Sequence, residues 1–141
     1  MSDEAFDRWA QRALRIALGA AFLSAVAGRF GLWSWTPWTV AFDRFLDRTA
    51  ALNAFMPAWT IPFLAWGATI AEITLGVALI AGLLRYWTAL GAAILLAVFG
   101  TEMAVFDGIK SPLDYSVFSA SAGALLLASR ARGRTPSPTH R

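Results

Sequence analysis

The chain has no cysteine. That excludes a disulfide, an iron–sulfur cluster, a thiolate metal site and CxxC redox exchange carried by the chain itself. Its single histidine, His140, lies in the terminal tail, which excludes paired-histidine haem ligation and a histidine-rich zinc site. No GxxxxGK[ST] run occurs, no GxGxxG follows a strand pattern, and no serine stands beside a histidine, so a self-contained hydrolase or kinase is not expected. Charge is scarce as well. Only 15% of the residues are charged, while 57% are hydrophobic, a balance too apolar for an ordinary soluble domain and, at 141 residues, too short for a large transporter.

What is present is long apolar sequence. Four segments emerge, about 13–33, 61–84, 86–106 and 113–129. In lipid each must satisfy its own backbone hydrogen bonds, so each is expected to be an α-helix. The expected fold is all-α: a transmembrane four-helix bundle forming a single domain over residues 1–129, with an interfacial segment at 34–59 and a disordered basic tail at 130–141. The tail combines arginine, proline, serine and threonine with no apolar period.

The interfacial segment is too polar to span but is rich in tryptophan. Thr36 is a candidate N-cap and Pro37 a first helical residue. Trp38, Phe42, Phe45 and Leu46 then share one face, with Asp43, Arg44, Asp47 and Arg48 on the other. This is the pattern of an amphipathic helix on the outer membrane surface, either an anchor or a lid over a site opening outward.

Orientation follows from the basic residues. With both termini cytoplasmic, Arg8, Arg12, Arg15, Arg85, Arg130, Arg132, Arg134 and Arg141 lie inside and Arg29, Arg44, Arg48 and Lys110 outside, eight against four. The positive-inside rule favours that arrangement. The arginines sit at segment ends and form no basic face interleaved with aromatics, so the expected counter-charge is anionic lipid and not nucleic acid. A cleaved signal peptide ending near Ala25-Val26-Ala27 is a competing reading. Against it, Asp3, Glu4 and Asp7 neutralise Arg8, Arg12 and Arg15.

Glu72 is the only charged residue between Ile61 and Leu84. A helix of that length rises roughly 36 Å at ~1.5 Å per residue, more than the ~30 Å hydrocarbon core. An ionisable group at such depth costs about 2.5–3.5 kcal/mol on insertion scales and marks a functional candidate. The helix has two faces: Phe63, Trp66, Ile70, Ile73, Val77, Ile80 and Leu84 are bulky, and Ala65, Ala68, Glu72, Gly76 and Leu79 are mostly small. Small residues favour close helix approach, so Glu72 is expected to point inward. Helix rise places Arg29 within about 10 Å of it along the membrane normal. A structural Arg29–Glu72 lock and a proton- or ligand-handling site are both open readings.

Three further positions are weaker candidates. Glu102 stands near the C-terminal end of the third segment, where the helix dipole disfavours it and asks for a cation such as Arg29 or Lys110. It also lies opposite the small stripe Ala89, Ala93, Ala97, Gly100 and Ala104, so snorkelling to the interface is the simpler reading. Ser111-Pro112-Leu113-Asp114 has the spacing of a capping box, which explains Asp114. Tyr115 and Ser116 are candidates for lining an outward cavity, or else an interfacial anchor and a packing residue.

Three local patterns together resemble the DoxX family of small four-helix membrane proteins. They are Arg15, Gly19 and Phe22 followed by Ala27-Gly28-Arg29-Phe30; Ala71-Glu72 followed by Gly76, Leu79, Gly82 and Arg85; and the run from Gly108 to Ser116. The resemblance covers roughly residues 15–128. It implies an inner-membrane protein similar to the small subunit of a thiosulfate:quinone oxidoreductase, engaged in sulfur, thiol or oxidative-stress redox work.

On that resemblance the expected function is a cofactor-free subunit of a quinone-linked redox system, with a partner protein carrying the redox centre. Quinone is then the one candidate ligand and no metal site is expected. Glu72 and Arg29 are the candidate catalytic residues, and Glu72, Arg29, Glu102, Tyr115 and Ser116 the candidate cavity. A small proton or solute channel and a non-catalytic scaffold are the alternatives.

Overall fold

The computed structural model describes residues 2–133, which are helical with no strand among them. Helix α1 spans Asp3–Arg29 and α2 spans Trp38–Leu52. A single 3-10 turn at Ala58–Thr60 leads into α3, Ile61–Ala81. Helix α4 spans Arg85–Phe106, α5 is the short Lys110–Asp114, and α6 spans Val117–Arg132. Three stretches are long and apolar enough to cross a membrane: Asp3–Arg29, Ala58–Ala81 and Arg85–Phe106.

Local chemistry sets most of these bounds. Ser2 caps α1, its hydroxyl accepting the Ala5 amide at 3.3 Å, and Asp3 and Glu4 complement the dipole in the first turn. The helix therefore starts ten residues before the apolar run that predicts it. It also ends before Trp33, because the Phe30 amide turns back to Val26 O and Gly28 O and the Trp33 indole donates to Ser24 O at 3.0 Å. Helix α3 stops at Gly82, whose φ of +72° closes the end in the left-handed conformation. It is thus three residues shorter than the predicted 61–84.

The predicted helix over 113–129 is broken. Ser116 takes a left-handed φ of 55° between α5 and α6, and α6 begins only at Val117. A 16-residue helix rises about 24 Å, short of a hydrocarbon core. At its other end α6 runs on through Arg130 to Arg132, so the first residues of the predicted tail are helical. The expectation of disorder at residues 134–141 lies outside the described residues.

Two expected caps are also replaced. Thr36 does not cap α2; its hydroxyl pairs with that of Ser34 at 2.8 Å and Pro37 takes the N-cap position. Ser111 does not cap α5 either, since the helix starts a residue earlier, and Asp114 pairs with Lys110 instead.

Packing joins α1 to α3 and α4 to α6 most extensively. Small residues permit both. Gly19 and Gly76 bring α1 and α3 together so closely that a Cβ on Gly19 would sit 2.7 Å from Gly76 O. Between α4 and α6, Ala92 and Ala124 are wholly buried and Ser121 donates to Ala93 O at 2.8 Å. Leu18, Phe22, Leu79 and Leu127 fill the remaining core. The bulky face of α3, from Phe63 to Ile80, is exposed, whereas Ala65, Glu72, Gly76 and Leu79 are buried, matching the two-faced reading of the sequence.

Helix α2 lies across this frame through aromatic contacts. Phe42 is buried against Trp66, with ring centroids 4.7 Å apart, and against Phe30 at 6.0 Å. Asp43, Arg44, Asp47 and Arg48 remain exposed. Arg48 reaches Asp107 at the end of α4, with Nη1 donating to Oδ1 at 3.0 Å. Both groups are partly solvated, so Arg48→Gln is expected to cost about 1 kcal/mol or less. Hydrogen exchange should quicken in α2 while the global unfolding midpoint stays nearly unchanged; a large drop in that midpoint would show that the aromatic contacts alone do not hold α2.

Candidate functional site

Glu72 stands on the small face of α3 and is only 2% exposed. Arg29, in the last turn of α1, meets it: Nη2 donates to Oε1 at 2.8 Å and Nη1 lies 2.6 Å from Oε2. The second contact is a close approach of charges in which no N–H is aligned with Oε2, so that oxygen has no hydrogen bond among the described residues. Nη1 donates instead to Thr69 Oγ1 at 3.2 Å, and the Thr69 hydroxyl donates to Ala65 O at 2.8 Å. The Arg29 guanidinium also lies over the Phe45 ring of α2, 3.9 Å from its centroid.

Position explains this set. Thr69 precedes Glu72 by one helical turn on the same face, and Arg29 sits at the C-terminal end of α1, where the dipole favours a cation. The guanidinium is held on three sides, by carboxylate, hydroxyl and ring. This is the fixed, fork-like recognition for which arginine is suited and lysine is not.

A cavity of about 520 Å³ opens beside the pair. Phe45, Thr49, Leu52 and Asn53 of the α2 region form one wall. Leu64, Gly67 and Ala68 of α3 and Leu95, Val98 and Phe99 of α4 form the others. Its polar lining is sparse: Arg29 and Glu72 at one side and Glu102 at another. Asn53 Nδ2 and Thr49 Oγ1 each donate to a backbone carbonyl, those of Thr49 and Phe45. Glu102 is half-buried and makes no hydrogen bond or ion pair among the described residues. Glu102 is thus the carboxylate on this cavity left without a partner among the described residues, while Arg29 and Asn53 keep N–H groups beyond those they donate.

Of the predicted cavity residues, Arg29, Glu72 and Glu102 converge on this space. Tyr115 and Ser116 do not. The left-handed turn at Ser116 carries them away from it, and Tyr115 is left 75% exposed. Glu102 faces the cavity although the small stripe of α4 lies opposite, because α4 buries that stripe against α6 and turns its other side toward α2 and α3. Neither expected cation pairs with it, since Arg29 is taken by Glu72 and Lys110 by Asp114. The sequence reading did not single out Thr69, and it offered the α2 segment at a site only as one of two alternatives, a lid or an anchor. Thr69 carried a signal, a hydroxyl one turn from the buried charge; Phe45 was visible only as part of an apolar face. No cluster of potential metal ligands occurs among the described residues.

A family model described as Methylamine utilisation protein MauE matches residues 7–110. That span is well over half of the sequence, and the chain belongs to the MauE family, as a membrane protein of apolar helices. No curated protein and no solved structure gives a significant match. The match overturns the DoxX resemblance and the likeness to a thiosulfate:quinone oxidoreductase subunit that came with it. The patterns behind that resemblance have general physical causes. Gly19 and Gly76 allow close helix approach, Arg29 and Glu72 neutralise each other, and Gly82 ends a helix. Any small helical membrane protein meets those needs, so the patterns do not separate one family from another.

Proposed function

We propose that this MauE-family protein is a membrane component of a redox-related system and that its cavity takes a quinone-class ligand in the hydroxyl-bearing, reduced form. The observation that carries the reading is the cavity beside the Arg29–Glu72 pair: apolar walls and, at Glu102, a carboxylate acceptor with no partner among the described residues. Such walls suit a flat apolar ring, and that acceptor suits a hydroxyl of a quinol. Oxidation of a quinol releases protons with its electrons, and this reading gives Glu102 and Glu72 the role of accepting them. With no cysteine to hold an iron–sulfur cluster or a redox-active thiol, this reading assigns the electrons to a redox centre on a partner protein. The description of the family points to methylamine utilisation as the setting.

The cavity would lie toward the outer side of a bundle in which α5 and α6 complete a fourth crossing and both termini are cytoplasmic. The distribution of arginine and lysine supports that topology, as does the pairing of α6 with α4 along most of its length.

Decylubiquinol titrated against the full chain in phosphatidylcholine nanodiscs tests the reading. Saturable binding is expected. Glu102→Leu, which removes an unpaired acceptor without stranding a partner, should weaken it by about ten- to a hundredfold, the worth of one hydrogen bond to a charged group. Absence of saturable binding, or an unchanged affinity in Glu102→Leu, would count against a quinol site.

A further inference from the structure

A second, separate pocket of about 320 Å³ lies between α1, α6 and the start of α4, lined among others by Gln11, Arg15, Leu84, Arg85, Tyr86 and Trp87. Arg15 and Arg29 are on the same helix, about 21 Å apart by rise, so this pocket stands at the opposite end of the molecule from the carboxylate cavity.

Its charge is uncompensated. Neither Arg15 nor Arg85 has an ion pair among the described residues. The Arg15 Nε is shielded from solvent and has no hydrogen-bond partner there. The Arg15 side chain lines the pocket, so an anion there meets its guanidinium. The acid nearest in sequence, Asp7, is engaged by Gln11 Nε2 at 2.7 Å and by Arg130 at 3.2 Å.

Part of the arrangement has an internal cause. The Arg15 guanidinium rests over Gly82, where a Cβ would come within 2.8 Å of Nη1, and the C-terminal end of α3 favours a cation. That accounts for Arg15 alone. Arg85 occupies the first position of α4, where the dipole is unfavourable to a positive charge, and no side chain caps that end. Two arginines without ion pairs and the first, uncapped residues of α4 thus line one space. An anion with several oxygens answers all of them.

The surroundings say which anion. Leu83, Leu84 and Trp87 are 57%, 76% and 68% exposed around the mouth, an apolar collar with an interfacial tryptophan beside the charge. Basic pockets between membrane helices at a charged leaflet bind lipid headgroups. We propose that this pocket binds the phosphodiester headgroup of an anionic phospholipid, with Arg15 and Arg85 on the phosphate and the acyl chains lying along Leu84 and Trp87. A free phosphate shares the oxygen chemistry but has no use for the collar.

The test uses the purified full chain in neutral detergent, equilibrated with equal amounts of phosphatidylglycerol and phosphatidylcholine and analysed by native mass spectrometry. Phosphatidylglycerol should be retained preferentially. Arg85→Gln should cut that preference by about fivefold, the effect of one cationic contact near an anionic headgroup, and Arg15→Gln with Arg85→Gln should abolish it. Arg44→Gln, on exposed α2, should leave it unchanged. Should the double variant fail to fold, Arg85→Gln alone decides, because Arg85 makes no hydrogen bond or ion pair among the described residues. Equal retention of the two lipids, or a preference untouched by Arg85→Gln, would overturn the proposal. So would displacement of phosphatidylglycerol by millimolar inorganic phosphate, which would identify a free-anion site.

Discussion

Arg29→Met should destabilise the protein by about 3–5 kcal/mol, the usual consequence of removing one partner of a buried ion pair. The variant leaves Glu72, 3% exposed at its side chain, without the guanidinium that neutralises it. Thr69 loses a donor and Phe45 loses its stacked cation in the same step. The loss should not be additive. With Glu72→Leu also present no charge is stranded, and replacing such a pair by apolar residues is often nearly neutral. Unfolding of the reconstituted single and double variants measures this directly. Equal losses in Arg29→Met and in the double variant would show that Glu72 has another partner, and the site would have to be rebuilt around it.

Gly19→Leu should have the second large effect, through geometry and not charge. A Cβ at position 19 meets Ile80 Cγ1 at 2.6 Å and Gly76 O at 2.7 Å. Ile80 can turn aside, but the Gly76 carbonyl belongs to the α3 backbone and cannot. Helices α1 and α3 must move apart, at a cost of about 1–3 kcal/mol or more for overpacking. The displacement carries Arg29 away from Glu72, so quinol binding should fall with stability. Gly67→Ala provides the contrast. Nothing lies within 4 Å of its added methyl, and a helical alanine in place of glycine gains about 0.5–1 kcal/mol. If Gly19→Leu and Gly67→Ala behaved alike in thermal unfolding, the close α1–α3 approach would be refuted.

The same contacts show what could be read from the sequence. Glu72 and the small face it shares with Ala65, Gly76 and Leu79 were legible, because an apolar helix in lipid has few ways to place one charge and few reasons to cluster small residues. Arg29 followed from depth along two helices of known rise. The break at Ser116 was not legible. A left-handed serine is set by how α5 must turn for α6 to lie on α4, a tertiary demand with no local signal. That break is also why Tyr115 and Ser116 miss the cavity.

Glu102 was only partly legible. Its position near a helix end suggested a need for a cation, whereas the structure gives it an apolar cavity and no cationic partner among the described residues. The family was the least legible feature, since glycines, a buried pair and an arginine at a turn are demands of packing that unrelated helical membrane proteins share.

The central claim is that a quinol enters between α2, α3 and α4 and meets Glu72 and Glu102. A decylubiquinol analogue with a photoreactive headgroup, activated in vesicles containing the full chain, tests it most directly. Crosslinks are expected within residues 63–72 and 95–103 and should be competed by unlabelled quinol. Labelling confined to the outward face of α3, at Ile70, Val77 and Ile80, and insensitive to competitor would mean that the ligand partitions into lipid around the protein, and would contradict the account.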